Sequence, residues 1–196
     1  MNDKVNILIA GVGGQGLITM SNVLAKASLL NNVKALVAET HGLSQRGGSV
    51  EVHVRIGNVY SPLIPLGGAD IVVGMELIEA ARYLRYIKRG GVVVVNDRII
   101  RPAVPGIEQP SKEELLEYIM KHSGSVYMID ALKYALEAGS ALSQNMVILG
   151  SLFSTGLLDE FVSTDSVRKV IRTMRHHEIN EKAFELGLSN TRVLKD

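Results

Sequence analysis

Val5-Asn6-Ile7-Leu8-Ile9-Ala10 runs straight into Gly11-Val12-Gly13-Gly14-Gln15-Gly16, after which Leu17, Met20, Val23, Leu24 and Ala27 recur at helical spacing. A short β-rich run with almost no polar content suits a central strand covered on both faces. The glycines end that strand, and the helix that follows ends near Asn31 and Asn32. Strand, glycine turn and helix form the opening unit of an α/β fold. Glycine lets the chain turn tightly and brings backbone amides close to an anion at the helix N-terminus.

Outward from this unit, residues 33–38 supply a second strand, and strand–helix–strand of this length implies a right-handed parallel crossover. Residues 40–48 are polar and glycine-bearing. Val50, Val52, Val54 and Ile56 then alternate with Ser49, Glu51, His53 and Arg55, the period-two pattern of a half-exposed strand. A loop and a strand thus replace the second helix. Residues 71–73 and 92–95 read as buried strands around a helix over 76–87, closed by Lys88-Arg89-Gly90-Gly91. Ser111 and Glu114 have the spacing of a capping box and start another helix. A last strand over 126–129 precedes helices over 131–137, 145–157 and 165–176, the last capped by Ser163 or Thr164. The expectation is one domain over residues 1–196: a three-layer, Rossmann-like α/β fold with a mostly parallel sheet, a loop–strand insertion after strand two and a helical C-terminal third. Residues 102–110 form an irregular excursion within it.

Composition narrows the function. Of 196 residues, 46% are hydrophobic and 21% charged, enough apolar material for a sizeable core. Lysine plus arginine number 21 against 20 acids, so no broad field favours nucleic acid or an anionic membrane, and any anion has to be bound locally. There is no cysteine, which excludes a disulfide framework, a thiolate zinc site and an iron–sulfur cluster held by this chain. The N-terminus lacks the features of a secretory signal, and the longest apolar stretch, 146–158, is too short and too polar to span a bilayer. A cytoplasmic location is expected.

Gly11 to Gly16 fits G-x-G-x-x-G between a strand and a helix, and Glu39 follows Gly16 by 23 positions. That is near the ~20 of a dinucleotide-binding unit, whose acid holds a ribose. The insertion at 40–56 departs from that unit, and glycine turns also serve helix–sheet packing alone. The second loop, Thr40-His41-Gly42-Leu43-Ser44-Gln45-Arg46-Gly47-Gly48-Ser49, should share the carboxyl edge of the sheet with the first turn. Arg46 carries a forked donor suited to phosphate or carboxylate, although an arbitrary loop arginine is more often a solvated surface residue.

These two glycine-rich stretches, together with Tyr60-Ser61-Pro62-Leu63-Ile64-Pro65 downstream, resemble the gamma-type subunit of 2-oxoacid:ferredoxin oxidoreductases, and within them the indolepyruvate enzyme's beta subunit. The glycine motif is common to gamma subunits acting on pyruvate, branched-chain oxoacids and 2-oxoglutarate, whereas the loop around His41, Gln45 and Arg46 is more specific. The resemblance implies an enzyme that decarboxylates a 2-oxoacid with thiamine diphosphate and magnesium. It passes electrons through iron–sulfur clusters to ferredoxin and delivers the acyl group to coenzyme A. With no cysteine and no Gly-Asp-Gly…Asn stretch, the chain holds none of these cofactors alone; they belong to a large partner subunit, through which ferredoxin is also met. The resemblance makes Gly11, Gly13, Gly14, Gln15, Gly16, His41, Gln45, Arg46, Gly47 and Gly48 a rim facing coenzyme A or the partner.

Other clusters carry less. His176, His177 and Glu178 are adjacent on a helix and point ~100° apart, so they read as a solvated helix end. Asn96, Asp97, Asp130 and Glu76 each follow a strand, where acids also cap the next helix. No hydrolase elbow, zinc-protease helix or Walker sequence is present. A stand-alone nicotinamide-dependent oxidoreductase and a non-catalytic binding module remain as readings of another class.

Overall fold

The computed structural model describes residues 3–41, 48–100 and 110–195. Its centre is β1 (Lys4–Val12), in which residues 5–11 are all buried, as an apolar strand covered on both faces requires. Around it lies one seven-stranded sheet of order β2-β3-β1-β4-β5-β6-β7. β1, β4 (Ala69–Gly74), β5 (Ile87–Asn96) and β6 (Ser125–Ile129) run parallel, while β3 (Ser49–Gly57) is antiparallel to both β1 and β2 (Ala35–His41).

The insertion changes the first crossover. α1 (Leu17–Leu30) carries the chain back so that β2 runs in the direction of β1, but the two do not pair. β3 occupies the slot between them, in register with β1 from Lys4↔Gly57 to Val12↔Ser49. The expected adjacent parallel pair is therefore replaced by two antiparallel ones. The valines and Ile56 of β3 do face the α1 side, and on its polar face Ser49, Glu51 and Arg55 are partly exposed while His53, at 2% exposed, is buried.

Other boundaries differ for local reasons. The helix expected over 76–87 stops early, as α2 (Leu77–Tyr83) and a 3-10 turn (Leu84–Tyr86). Lys88 to Gly91 belong to β5, where Gly90 adopts φ 73° and Gly91 packs tightly against Ile87 and the Asp70 carbonyl. α3 (Lys112–His122) opens on the capping box, with the Ser111 N–H donating to Glu114 Oε2 (2.7 Å) and the Glu114 N–H to Ser111 Oγ (3.2 Å). α4 (Ala131–Ala138) lies close to its expected span, while α5 (Gln144–Phe153) and α6 (Thr164–Ile171, capped by Ser163) start where expected but end before 157 and 176. The C-terminal third is not wholly helical: after α7 (His177–Asn190) comes β7 (Arg192–Lys195), antiparallel to β6.

The layers are unequal. α1, α4, α5, α6 and α7 cover one face of the sheet, whereas α2 and α3 cover the other. Residues 145–153 of α5 are all buried, so its backbone has to be approached closely by its neighbour. Gly150 and Gly187 make that possible, since a β-carbon on either would run into the backbone of the opposite helix at Phe184 or Val147. Gly150→Ala and Gly187→Ala should each lower unfolding free energy by about 2–3 kcal/mol through overpacking. Gly67→Ala, with open space around the new carbon, should cost only about 1 kcal/mol for its φ of 69°. Urea titrations of the three variants check the order.

Candidate functional site

The carboxyl ends of β1, β4, β5 and β6 lie along one edge of the sheet, and the glycine turn sits there. Its shape is held by Gln15, whose side-chain oxygen accepts the Val12 N–H (2.7 Å) while its own N–H donates to the Val12 carbonyl (3.2 Å). The glycines divide into two kinds. Gly11 is buried, and a β-carbon there would strike Gln15 and Met75; Gly16, at φ 78°, lies against Asn145, whose Nδ2 donates to the Gly16 carbonyl (3.2 Å). Both serve packing. Gly14 is exposed at φ 100°, with no atom within 4 Å of the place a β-carbon would take, so it leaves the turn open on its outer side.

The second glycine-rich stretch comes to the same place. Gly13 N–H donates to the Gly48 carbonyl at 2.9 Å, joining the two turns through their backbones. His41 closes β2. Its side chain, and the whole of Gln45, Arg46 and Gly47, lie outside the described residues.

A cleft of about 810 Å³ opens beside the first turn. Gly13, Gly14, Gln15, Gly16 and Thr19 form one wall, residues 139–146 with His176 and Asn180 the other, and Met75, Asn96 and Arg98 the floor. Among the described residues, no aspartate or glutamate lines it. Three helices start at its walls, α1, α5 and α7, and their N-cap residues Gly16, Ser143 and His176 provide no side-chain cap. The other four described α-helices are capped by Glu76, Ser111, Asp130 and Ser163. At α5 the Met146 N–H is taken by Asn145 Oδ1 (3.0 Å), so the features of the cleft that favour an anion are the starts of α1 and α7, the helix dipoles and Arg98.

Arg98, Asn145 and His176 were not legible as cleft residues. Asn145 reaches Gly16 across 129 positions of sequence, and no local pattern encodes that contact. His176 is exposed, as a solvated helix end should be, but at φ 53° it starts α7 instead of ending α6. Two of the acids after the strands do cap: Glu76 accepts the N–H groups of Ile78 (3.0 Å), Glu79 and Ile100 (3.2 Å), and Asp130 that of Lys133 (3.0 Å), whereas Asp97 pairs with Lys112 (2.5 Å) and Arg192 (3.5 Å). Burial raises the Glu76 pKa against the lowering effect of those N–H groups. Asn96 ties strand ends together, donating to the Met75 carbonyl (3.2 Å) and accepting the Ala131 N–H (3.0 Å). Among the described residues, no group of three or more His, Asp or Glu side chains is placed to hold a metal.

Glu39 lines a second hollow, of about 540 Å³, with Gly13, Gly14, Gly16, Ile18 and Thr19. The acid is thus near the turn, but two strands away from β1 instead of on the adjacent one, because β3 intervenes. That departs from the dinucleotide-binding arrangement, in which the ribose-holding acid ends the neighbouring strand.

Residues flanking the second loop are anchored from the α2 side. Thr40 Oγ1 donates to Glu51 Oε1 (2.6 Å), while the Ser49 hydroxyl donates to Glu79 and shares a hydrogen bond with the Tyr83 hydroxyl (3.0 Å). His53 Nδ1 accepts the Ile64 N–H (3.1 Å), and Nε2 lies 3.6 Å from Glu51 Oε1. Burial lowers the His53 pKa despite Glu51, which pulls it up. The unfolded chain therefore takes a proton first as pH falls below about 6.5, and stability drops from there toward the folded value. Glu76, raised in the fold, works in the opposite sense at lower pH. His53→Gln should flatten the loss of stability between pH 7 and 5.5, at most about 1.4 kcal/mol per pH unit. Urea midpoints measured across that range test it, and parallel curves for variant and wild type would count against it.

The glycine turn, the starts of α1, α5 and α7 and the cleft are gathered on one edge of a Rossmann-like α/β sheet. Sequence comparison gives the particular family. The chain belongs to the pyruvate ferredoxin/flavodoxin oxidoreductase family, whose model matches residues 6–190. It is 40% identical over 190 residues to the indolepyruvate oxidoreductase subunit IorB of Archaeoglobus fulgidus, covering 94% of each chain. It is 29% identical to the common gamma subunit of the pyruvate/ketoisovalerate oxidoreductases of Pyrococcus furiosus, over 91% of this chain and 90% of that one. The fold is that of the pyruvate oxidoreductase subunit PORC of Thermotoga maritima, with a TM-score of 0.74 at 19% identity over 99% of this chain and all of the other. The expected family and fold class are thereby borne out.

Proposed function

We propose that the chain is the small subunit of a thiamine diphosphate-dependent 2-oxoacid:ferredoxin oxidoreductase, with indolepyruvate as the preferred oxoacid. The observation that carries this reading is the end-to-end identity of 40% with an indolepyruvate oxidoreductase subunit, well above the 29% with a pyruvate/ketoisovalerate one. The overall reaction converts an arylpyruvate and coenzyme A to the aryl-acetyl thioester and carbon dioxide, with two electrons passed singly to ferredoxin. Pyruvate, a branched-chain oxoacid or 2-oxoglutarate is the second choice.

The chain's own residues fit a binding role in this scheme. Without cysteine it has no thiolate for an iron–sulfur cluster, so clusters, thiamine diphosphate and magnesium belong to a large partner. Thiamine diphosphate, when bound there, supplies the electron sink for decarboxylation. The contribution of this chain is the edge where the glycine turns meet. Gly14 and the first amides of α1 offer N–H groups to phosphate oxygens, and Arg98 adds a fixed charge in the cleft. Met75, Met174 and Ile179 give the same cleft apolar wall for the uncharged part of a coenzyme A-like molecule. Gln15 is turned inward through its oxygen and offers only its amide NH₂ group outward.

Purified alone, the chain should show no oxoacid turnover and no nicotinamide-dependent activity. Produced with a cysteine-rich, thiamine-dependent large subunit, it should co-purify and support ferredoxin reduction that requires both indolepyruvate and coenzyme A. In that complex Arg98→Ala should raise KM for coenzyme A roughly tenfold and leave KM for the oxoacid unchanged. Turnover by the isolated chain with a nicotinamide cofactor would overturn the subunit reading in favour of a stand-alone oxidoreductase.

A further inference from the structure

Between β3 and β4 the chain crosses the α2 side of the sheet as residues 58–68, and three large apolar side chains there face solvent. Tyr60 is 87% exposed, Leu66 67% and Leu63 51%. The segment that carries them is firmly held. Val59 and Ile64 are buried beneath it, and the Ile64 N–H is bound by His53. Arg55 donates through Nη1 to the carbonyls of Ser61 (2.8 Å) and Leu63 (3.2 Å), and through Nε to Asn6 Oδ1 (2.8 Å). Asn6 Nδ2 donates to the Gly68 carbonyl (2.9 Å), Gly67 N–H to the Arg85 carbonyl (3.1 Å) and Gly68 N–H to the Pro65 carbonyl (3.0 Å). Pro62 and Pro65 fix two further φ angles. An apolar surface whose backbone is set in this way loses little further freedom when something binds it, the condition for tight association.

Its rim is mainly cationic. The Lys34 ammonium lies 5.1 Å from the Tyr60 ring centre, and the Arg85 guanidinium packs over Tyr83 and Tyr86 at 5.6 and 5.4 Å. Neither these two cations nor Arg55 forms an ion pair among the described residues. Of the nearby acids, Asp70 is taken up by Lys88 at 2.5 Å, while Asp3 accepts Asn58 Nδ2 at 3.4 Å and leaves one carboxylate on the border. An apolar centre of aromatic and leucine side chains with a cationic border matches a protein surface whose apolar patch is bordered by carboxylates.

We infer that Tyr60, Leu63 and Leu66 dock this chain onto its large subunit, whose contacting patch is apolar with an acidic border. This rests on the subunit reading above and deepens it. Residues 58–68 join the end of β3, opposite Lys4, to the start of β4, so the platform lies at the sheet edge remote from the glycine turns. Docking there leaves the anion-facing cleft open to ligand.

The test measures the dissociation constant of the chain from the purified large subunit, with thermal midpoints confirming that each variant is folded. Tyr60→Ala and Leu66→Ala should each weaken association roughly tenfold. Lys34→Ala with Arg85→Ala should weaken it and reduce its dependence on sodium chloride concentration. Wild-type affinity in the Tyr60, Leu66 double variant would overturn the docking site while leaving the subunit reading intact. No association of the wild-type chain would overturn both. A wild-type homodimer that the Leu63→Ser, Leu66→Ser variant cannot form would assign the platform to a second copy of the chain and overturn this inference.

Discussion

The antiparallel pairing of β3 with β1 is the constraint on which the carboxyl edge depends. It runs the whole length of β1, from Lys4 to Val12, and places Ser49 beside the start of the glycine turn. The Gly13 to Gly48 hydrogen bond follows directly from that register. A slip by one residue would turn Val50, Val52, Val54 and Ile56 away from α1 and expose them, so burial of those four side chains fixes the position of the second loop. Local hydrophobic patterning in β3 thus decides where chemistry at the edge can happen.

On its other face β3 carries the buried His53 beside the partly buried Glu51. Glu51 and His53 would be costly there without partners. Thr40, Ile64 and the α2 residues Glu79 and Tyr83 supply hydrogen bonds within the network, although Glu51 Oε2 is left without one. Polar contacts on one side and valine packing on the other hold β3 from both faces, so the segment after it, residues 58–68, can itself be rigid.

Much of the fold was legible because its signals are local. The apolar run of β1, the alternation in β3 and the Ser111–Glu114 box each act within a few residues, and each element formed where expected. What escaped was set at long range. Whether β2 pairs with β1 depends on a competitor later in the chain, and β3 won by matching β1 over its whole length. Lys88-Arg89-Gly90-Gly91 has the composition of a helix stop, yet β4 offered a strand partner and the glycines became a bend within β5. In the site, the role of Gly11 and Gly16 in packing depends on Met75 and Asn145, which no motif brings together with them. His176 was visible as part of a solvated helix end, but not as the first boundary of a helix that opens on a cleft.

The glycine-to-backbone contact between α5 and α7 gives the cleft an asymmetric pair of jaws. The far jaw carries the starts of both helices, which meet backbone to backbone at Gly150 and Gly187. The near jaw is a turn held by Gln15, by a main-chain bond to Gly48 and, from the far jaw, by Asn145 on the Gly16 carbonyl. The Asn145–Gly16 bond bridges the jaws, and a guest wide enough to part them has to break it.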